Sequence, residues 1–228
     1  MESRLRNVAV NLVDLMFPRH CARCGDEGEV LCESCAATVV RVARTCCAFC
    51  GEGNSERTCF RCRDTHVIEG VTALASYADP VVRRVITGWK YHGDPAYAKT
   101  IERWIDTATS LKRFEGWTVV PAPLHVSRRR SRGFDQAVEI ADMVALAIRG
   151  ESKQLLIRQW YTAPRAQVKR HDRGADDLNG VFVAKQAVQG NVLLCDDVFT
   201  TGTTLEAAAS TLKSAGASHI WAFVIARS

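Results

Sequence analysis

Two adjacent carboxylates, Asp196 and Asp197, follow the apolar run Val192 to Cys195, and three residues on the chain reads Thr200-Thr201-Gly202-Thr203-Thr204. The run reads as a buried parallel strand, and the Ala- and Leu-rich LEAAASTLKSAGA after the loop reads as a helix. A glycine among four threonines at a helix N-terminus offers backbone amides and hydroxyls to an anion, which is the chemistry of a phosphate site. Isolated charge is costly to bury, so the two carboxylates must face a ligand, a metal or water. Open parallel sheets bind ligands at the carboxyl ends of their strands, where both acids fall. The plainer reading is a strand edge with solvated acids and a helix capped by threonine. Cys195, inside the strand, reads as a small buried apolar residue.

A second chemistry lies near the N-terminus. Nine of the ten cysteines fall between Cys21 and Cys62. Eight of them form four Cys-x-x-Cys knuckles: Cys21 and Cys24, Cys32 and Cys35, Cys47 and Cys50, Cys59 and Cys62. Each knuckle brings two thiolates to one ion, and two knuckles complete the four-thiolate shell of structural Zn²⁺, so eight ligands predict two zinc ions. Gly25 and Gly51 follow the first knuckle of each half and ease the turn. Disulfides would require an oxidising compartment, and a redox Cys-x-x-Cys comes once on a βαβ unit rather than four times. Spacing admits sequential sites, a double zinc ribbon, or alternating knuckles in a cross-brace; the sequential pairing is adopted. Cys46 competes with Cys47 as ligand, and the regular spacing to Cys50 favours Cys47. His20 and His66 flank the module and read as surface histidines, because cysteines already fill both shells. A closed four-cysteine site has no open position, so chemistry belongs elsewhere.

The elements that must position these groups need more than one small unit. At 228 residues the chain accommodates one α/β domain and an accessory module, with a boundary expected between residues 1–66 and 67–228. The net charge of +5 is uneven: residues 1–70 hold nine Arg against ten acids, so the positive surplus belongs to the larger domain and suits phosphates. Residues Val8, Leu12, Leu15 and Met16 are spaced as a short amphipathic helix. That segment lacks the unbroken apolar core of a signal peptide, and no stretch nears the roughly 20 apolar residues of a membrane span, so a cytoplasmic chain is expected.

Within the larger domain, an apolar helix is expected over Val81 to Trp89, followed by Lys90 and Tyr91 as candidates for a site edge. A short strand from Trp117 to Val120 ends in Pro121-Ala122-Pro123-Leu124-His125, ahead of a run holding Arg128, Arg129, Arg130 and Arg132. The next helix presents Val138, Ile140, Ala141, Val144, Ala145 and Ile148 as its buried face. A strand from Gln154 to Ile157 leads to a polar segment, Trp160 to Gly180, that reads as a mobile lid loop.

The strand, acids and Thr/Gly loop resemble the motif with which type I phosphoribosyltransferases bind phosphoribosyl pyrophosphate (PRPP). That resemblance implies that Asp196 and Asp197 hold the ribose, as catalytic residues, while Thr200, Thr201, Gly202, Thr203 and Thr204 hold the 5-phosphate. It also implies that Pro121, Ala122 and Pro123 line the pyrophosphate pocket, with Mg²⁺ accompanying PRPP. Over nearly the whole chain, FPRHCARCG, WKYHGD and PAPLHVSRRRSRGFDQ together with this motif resemble the ComF family of competence proteins. The expected architecture is thus a type I phosphoribosyltransferase fold, a parallel sheet with flanking helices, plus an N-terminal zinc-ribbon module.

Two functions compete. One is Mg²⁺-dependent phosphoribosyl transfer, with electrostatic stabilisation of an oxocarbenium-like transition state and an acceptor base stacked on Phe199 or Trp160. The other, implied by the ComF resemblance, is a binding module for single-stranded DNA and DNA-uptake partners, in which Lys90 and Arg128, Arg129, Arg130 and Arg132 contact nucleic acid backbone or pyrophosphate. PRPP turnover with a free base would favour the first, and salt-sensitive DNA binding without turnover the second.

Overall fold

The computed structural model describes residues 18–39, 45–92, 94–124, 134–159 and 180–228. The expected N-terminal helix, most of the segment from Trp160 to Gly180, and His125, Arg128, Arg129, Arg130 and Arg132 lie outside the described residues.

In chain order the elements are α1 (Glu33–Ala36), β1 (Val71–Ser76), α2 (Pro80–His92), α3 (Pro95–Asp106), a 3₁₀ turn (Thr109–Phe114), β2 (Thr118–Pro121), α4 (Gln136–Ala147), β3 (Glu151–Ser152), β4 (Leu156–Arg158), β5 (Phe182–Ala184), β6 (Asn191–Phe199), α5 (Thr203–Ser214) and β7 (His219–Arg227). A five-stranded sheet has the order β1-β7-β6-β2-β3, and every neighbouring pair in it is parallel. Strands flanked by helices on both faces must be apolar throughout, and Ile220 to Ala226 of β7 are buried without interruption.

One face carries α2, α3 and α4. Val82, Val85 and Ile86, then Ile101 and Ile105, then Ile140, Ala141 and Val144 pack there with Leu193, Cys195, Phe223 and Ile225. Ala137, Ile140, Ala141, Val144, Ala145 and Ile148 of the α4 segment are buried, while Val138 stays half-exposed at the carboxyl edge of the sheet. The other face carries α5 through Leu205, Ala208, Ala209 and Leu212, packed on Val192, Leu194 and Val224.

The strand expected at Gln154 to Ile157 is observed at Leu156–Arg158, and it pairs antiparallel with β5 instead of joining the main sheet. The short β3 already occupies the place beside β2, and Lys153 donates its amide to Val119 O at 2.8 Å before the chain turns away.

The cysteine module grips both faces of the sheet. Cys21, Val30, Leu31, Cys35 and Val39 join the core under α2 and α3, whereas Ala48 and Phe49, with Val67 and Ile68 just beyond the module, join the core under α5. Leu31 and Val30 are 1% and 4% exposed. Burial worth roughly 1.5–3 kcal/mol for each such side chain seats the module firmly. Polar contacts add register: Arg103 meets Glu29 through two hydrogen bonds of 3.0 and 3.3 Å, and Arg19 meets Asp94 at 2.9 Å.

Candidate functional site: the carboxyl edge of the sheet and the zinc ribbons

β6 runs longer than its apolar stretch, through both acids to Phe199. Its two neighbours differ in length: β2 stops at Pro121, opposite Cys195, while β7 continues to Arg227, opposite Phe199. Asp196 and Asp197 are therefore paired on one side only, and the space beyond β2 is open to a ligand. Successive side chains on a strand point to opposite faces. Leu193 and Cys195 enter the core beneath α2 and Leu194 the core beneath α5, so Asp197 continues towards α2 and Asp196 towards α5.

Asp197 meets Lys90, from the last turn of α2, in an ion pair. Its Oδ2 is buried and has no other partner among the described residues, so Lys90 is the contact that makes its charge tolerable. Asp196 accepts the Asp197 amide on Oδ1 at 2.8 Å. Burial, with the Asp197 charge as the second cause, pushes its carboxyl up to about 8, against the opposing pull of that amide and of Lys90. A carboxyl so poised gains from a neighbouring hydroxyl donor or cation. Lys90 thus stands at the site edge; Tyr91 is exposed.

The loop after the acids turns at Gly202, whose φ of 75° belongs to the left-handed region. The N-cap residue is Gly202, which has no side chain to cap α5, and the first-turn amides face the space beside Thr201 and Thr203, whose hydroxyls lie 2.9 Å apart. Gly202 is required for a second reason: a Cβ there would come within 2.4 Å of Phe199 Cζ and 3.2 Å of Phe49 Cε1. Phe199 is 1% exposed and packs edge-on against Phe49 with ring centroids 5.7 Å apart. It underlies the loop and has no free face for a base, contrary to the stacking role expected of it.

Phe49 lies between Cys47 and Cys50, so the cysteine module braces the loop directly. His66 stacks on Phe49 at 3.6 Å and sits 3.8 Å from Glu206 of α5. Glu206 also accepts the amides of Val67 and Ile68. His66 is accordingly half-buried and structural, where a surface position was expected. Phe49, His66 and Glu206 escaped sequence reasoning because no local pattern joins residues so far apart in the chain.

Pro121, Ala122 and Pro123 leave β2 beside the acids, with the Ala122 amide bonded to Cys195 O at 2.8 Å. Pro121 and Pro123 line a cavity of about 130 Å³, with Asp135, Gln154, Arg158 and Lys185 on its other walls.

The eight knuckle cysteines converge as two groups, Cys21, Cys24, Cys32 and Cys35, then Cys47, Cys50, Cys59 and Cys62, with all ligand sulfurs of each group within 4.8 Å of one another. A tetrahedron with Zn–S near 2.3 Å needs sulfurs about 3.8 Å apart. The separations of 3.7 Å for Cys21 and Cys32, 3.8 Å for Cys24 and Cys32, and 3.5 Å for Cys50 and Cys59 fit it. Pairing is sequential. Both halves repeat one backbone device: Cys21 N and Cys47 N donate to Asp26 O and Glu52 O, and Gly25 N and Gly51 N return to Cys21 O and Cys47 O. Burial opposes ionisation of Cys21 and Cys47, but the amides of Cys32 and Cys59, with further amides of each knuckle, outweigh it and bring both thiols down to about 6. Such thiols are prepared to bind metal as thiolates. These are structural zinc sites. Cys46 lies outside the second group: its carbonyl and thiol face Arg227 at 3.0 and 2.9 Å. His20 is 55% exposed and pairs loosely with Glu27.

A zinc-ribbon module bound to a parallel α/β sheet with flanking helices is the class these features define. Residues 12–67 match the double zinc ribbon domain. Two curated relatives align over most of the chain: competence protein ComFC of Streptococcus pneumoniae, 24% identical over 89% of this chain and 90% of that protein, and competence protein ComFC of Bacillus subtilis, 26% identical over 88% and 85%. The chain is similar to these competence proteins over most of its length. Among solved structures, the allosteric regulatory enzyme of purine biosynthesis aligns with a TM-score of 0.42 at 17% identity, and the glutamine PRPP amidotransferase of B. subtilis with 0.38 at 19%. Each alignment covers 61% of this chain, which spans 30% of the length of those larger proteins.

Proposed function

We propose that this ComF-like protein binds PRPP together with Mg²⁺ at the carboxyl edge of its sheet and serves DNA uptake in natural transformation. The observation that carries the ligand reading is the uncapped, glycine-hinged N-terminus of α5 directly beyond Asp196 and Asp197. In this reading the first-turn amides and the hydroxyls of Thr200, Thr201, Thr203 and Thr204 take the 5-phosphate. Asp196 takes the ribose hydroxyls, whose donors match a carboxyl that needs them. Asp197 is held by Lys90 and contributes the charge that keeps Asp196 basic. Pro121, Ala122 and Pro123 border the pyrophosphate, and Arg128, Arg129, Arg130 and Arg132 follow them in the chain and would neutralise it. Mg²⁺ carried by the diphosphate supplies further charge neutralisation.

Transfer of the phosphoribosyl group to an acceptor is the catalytic extension of this reading, and the cavity of about 130 Å³ beside Pro121 and Pro123 favours it by offering a small planar molecule a place next to the ribose. Residues 1–66 then act as the brace and 67–228 as the ligand domain. The ComFC relatives support a role in competence, with single-stranded DNA and uptake proteins as partners. No helix among the described residues is long and apolar enough to cross a membrane. Thiolate zinc sites suit a reducing cytoplasm.

Calorimetric titration of PRPP with Mg²⁺ tests the reading in the wild type and in Asp196→Asn/Asp197→Asn. Saturable binding that disappears in the double variant is expected; a wild type that gives no heat of binding would reduce the loop to a structural remnant and leave salt-dependent DNA binding as the function to measure.

A further inference from the structure

A larger cavity, of about 710 Å³, opens at the opposite end of the sheet. Its walls are Glu69 and Trp117, which precede β1 and β2, the start of β7, the 3₁₀ turn, and the ribbon segment between Cys50 and Cys59. Along β7, Trp221 lies three residues before Val224, the partner of Asp196, so about 10 Å of strand separates the cavity from the acids. Small-molecule sites commonly span about 300–1,000 Å³.

The floor is aromatic. Phe114 packs against Trp117 at 5.1 Å and Trp221 at 5.7 Å, and the Trp221 indole is anchored by donating to Thr72 Oγ1 at 3.0 Å. Trp117 is half-buried at the margin of the cavity, where a flat ring can stack on it. The cations differ in availability. Arg113 lies 4.7 Å over Trp221 but is paired with Glu56, and His219 bonds Glu69 at 2.8 Å. Arg57 lies 5.8 Å over Trp221 and pairs with no carboxylate among the described residues. Its backbone is held firmly, because Thr58 N donates to Glu69 O and Val71 N to Glu56 O at 2.8 and 2.9 Å.

We infer that this cavity binds a nucleoside monophosphate, its base stacked on Trp117 and its phosphate on Arg57. One guanidinium fork can take one phosphate group through paired N–H donors, whereas a triphosphate would bring several more negative charges beside Glu56 and Glu69. The side chain of Asn54 on the rim supplies donors and an acceptor for a base edge or ribose. The site stands independently of PRPP binding at the other edge.

The test titrates the zinc-loaded full chain with AMP and UMP, read by tryptophan fluorescence and calorimetry. Saturable binding is expected, about tenfold or more weaker for Arg57→Gln, Arg57→Glu and Trp117→Leu, and unchanged in Asp196→Asn/Asp197→Asn. Adenosine and inorganic phosphate alone should each bind at least about tenfold more weakly than AMP. Zinc content shows that each variant is folded, and Arg57→Gln is the mildest readout should another variant lose metal. Absence of saturable AMP or UMP binding overturns the inference. So does binding that survives the Arg57 changes and disappears with the acid pair, because the nucleotide would then occupy the carboxyl edge.

Discussion

Replacing Gly202 with alanine probes the joint between the cysteine module and the threonine loop before α5. Two independent penalties arise. A φ of 75° is left-handed, a conformation that costs an L-residue about 1–2 kcal/mol. The new methyl would also meet Phe199 Cζ at 2.4 Å and Cε2 at 2.8 Å, and Phe199 cannot retreat because Phe49 and the core enclose it. Overpacking of this kind costs about 1–3 kcal/mol, so Gly202→Ala should destabilise by about 2–5 kcal/mol in urea unfolding at constant zinc. Adding Phe199→Leu removes both clashing atoms. The double variant should recover the overlap and keep the conformational penalty, giving a favourable coupling of about 1–3 kcal/mol. A loss under about 0.5 kcal/mol for Gly202→Ala, or strictly additive single effects, would refute the packing argument.

Three further outcomes are expected. Cys21→Ser or Cys47→Ser should lower bound zinc from two ions per chain to one, whereas Cys46→Ser, outside both sulfur groups, should leave two, as read by metal analysis of the purified protein. Lys90→Met should destabilise by about 3 kcal/mol by stranding the buried Asp197 Oδ2, and Lys90→Met/Asp197→Asn should regain most of it; an undiminished loss in the double variant would show that Lys90 acts through packing. Asp196 has a folded pKa near 8 against 3.8 for the unrestrained group, so the folded chain binds more protons than the unfolded one and its stability falls as pH rises through that window. Asp196→Asn should therefore raise Tm of the ligand-free protein more at pH 9 than at pH 5, and equal shifts at both would mean that Asp196 ionises freely.

The chemistry-bearing groups were legible because they depend on neighbours in the chain. A Cys-x-x-Cys turn, a pair of acids ending an apolar strand, and threonines around a glycine each place their atoms within a few residues, where backbone geometry leaves few alternatives. The buried face of α4 was readable for the same reason, through its helical period. The division of Asp196 and Asp197 between two faces was not. It follows from β6 continuing past its apolar run, which depends on β7 pairing as far as Arg227.

The amino-acid sequence alone thus picked out the four cysteine knuckles and placed two acids and a Thr/Gly loop between a strand and a helix, since short-range spacing decides both. Only the tertiary structure decided that the first ribbon packs beneath α2 and α3 and the second beneath α5. It alone set Lys90 against Asp197, and it turned Phe49, His66 and Glu206 into a brace for Gly202. Glu206 and Val67 are 139 residues apart, and a contact over that distance leaves no periodic trace: it exists only after the sheet has formed and its two faces have been covered.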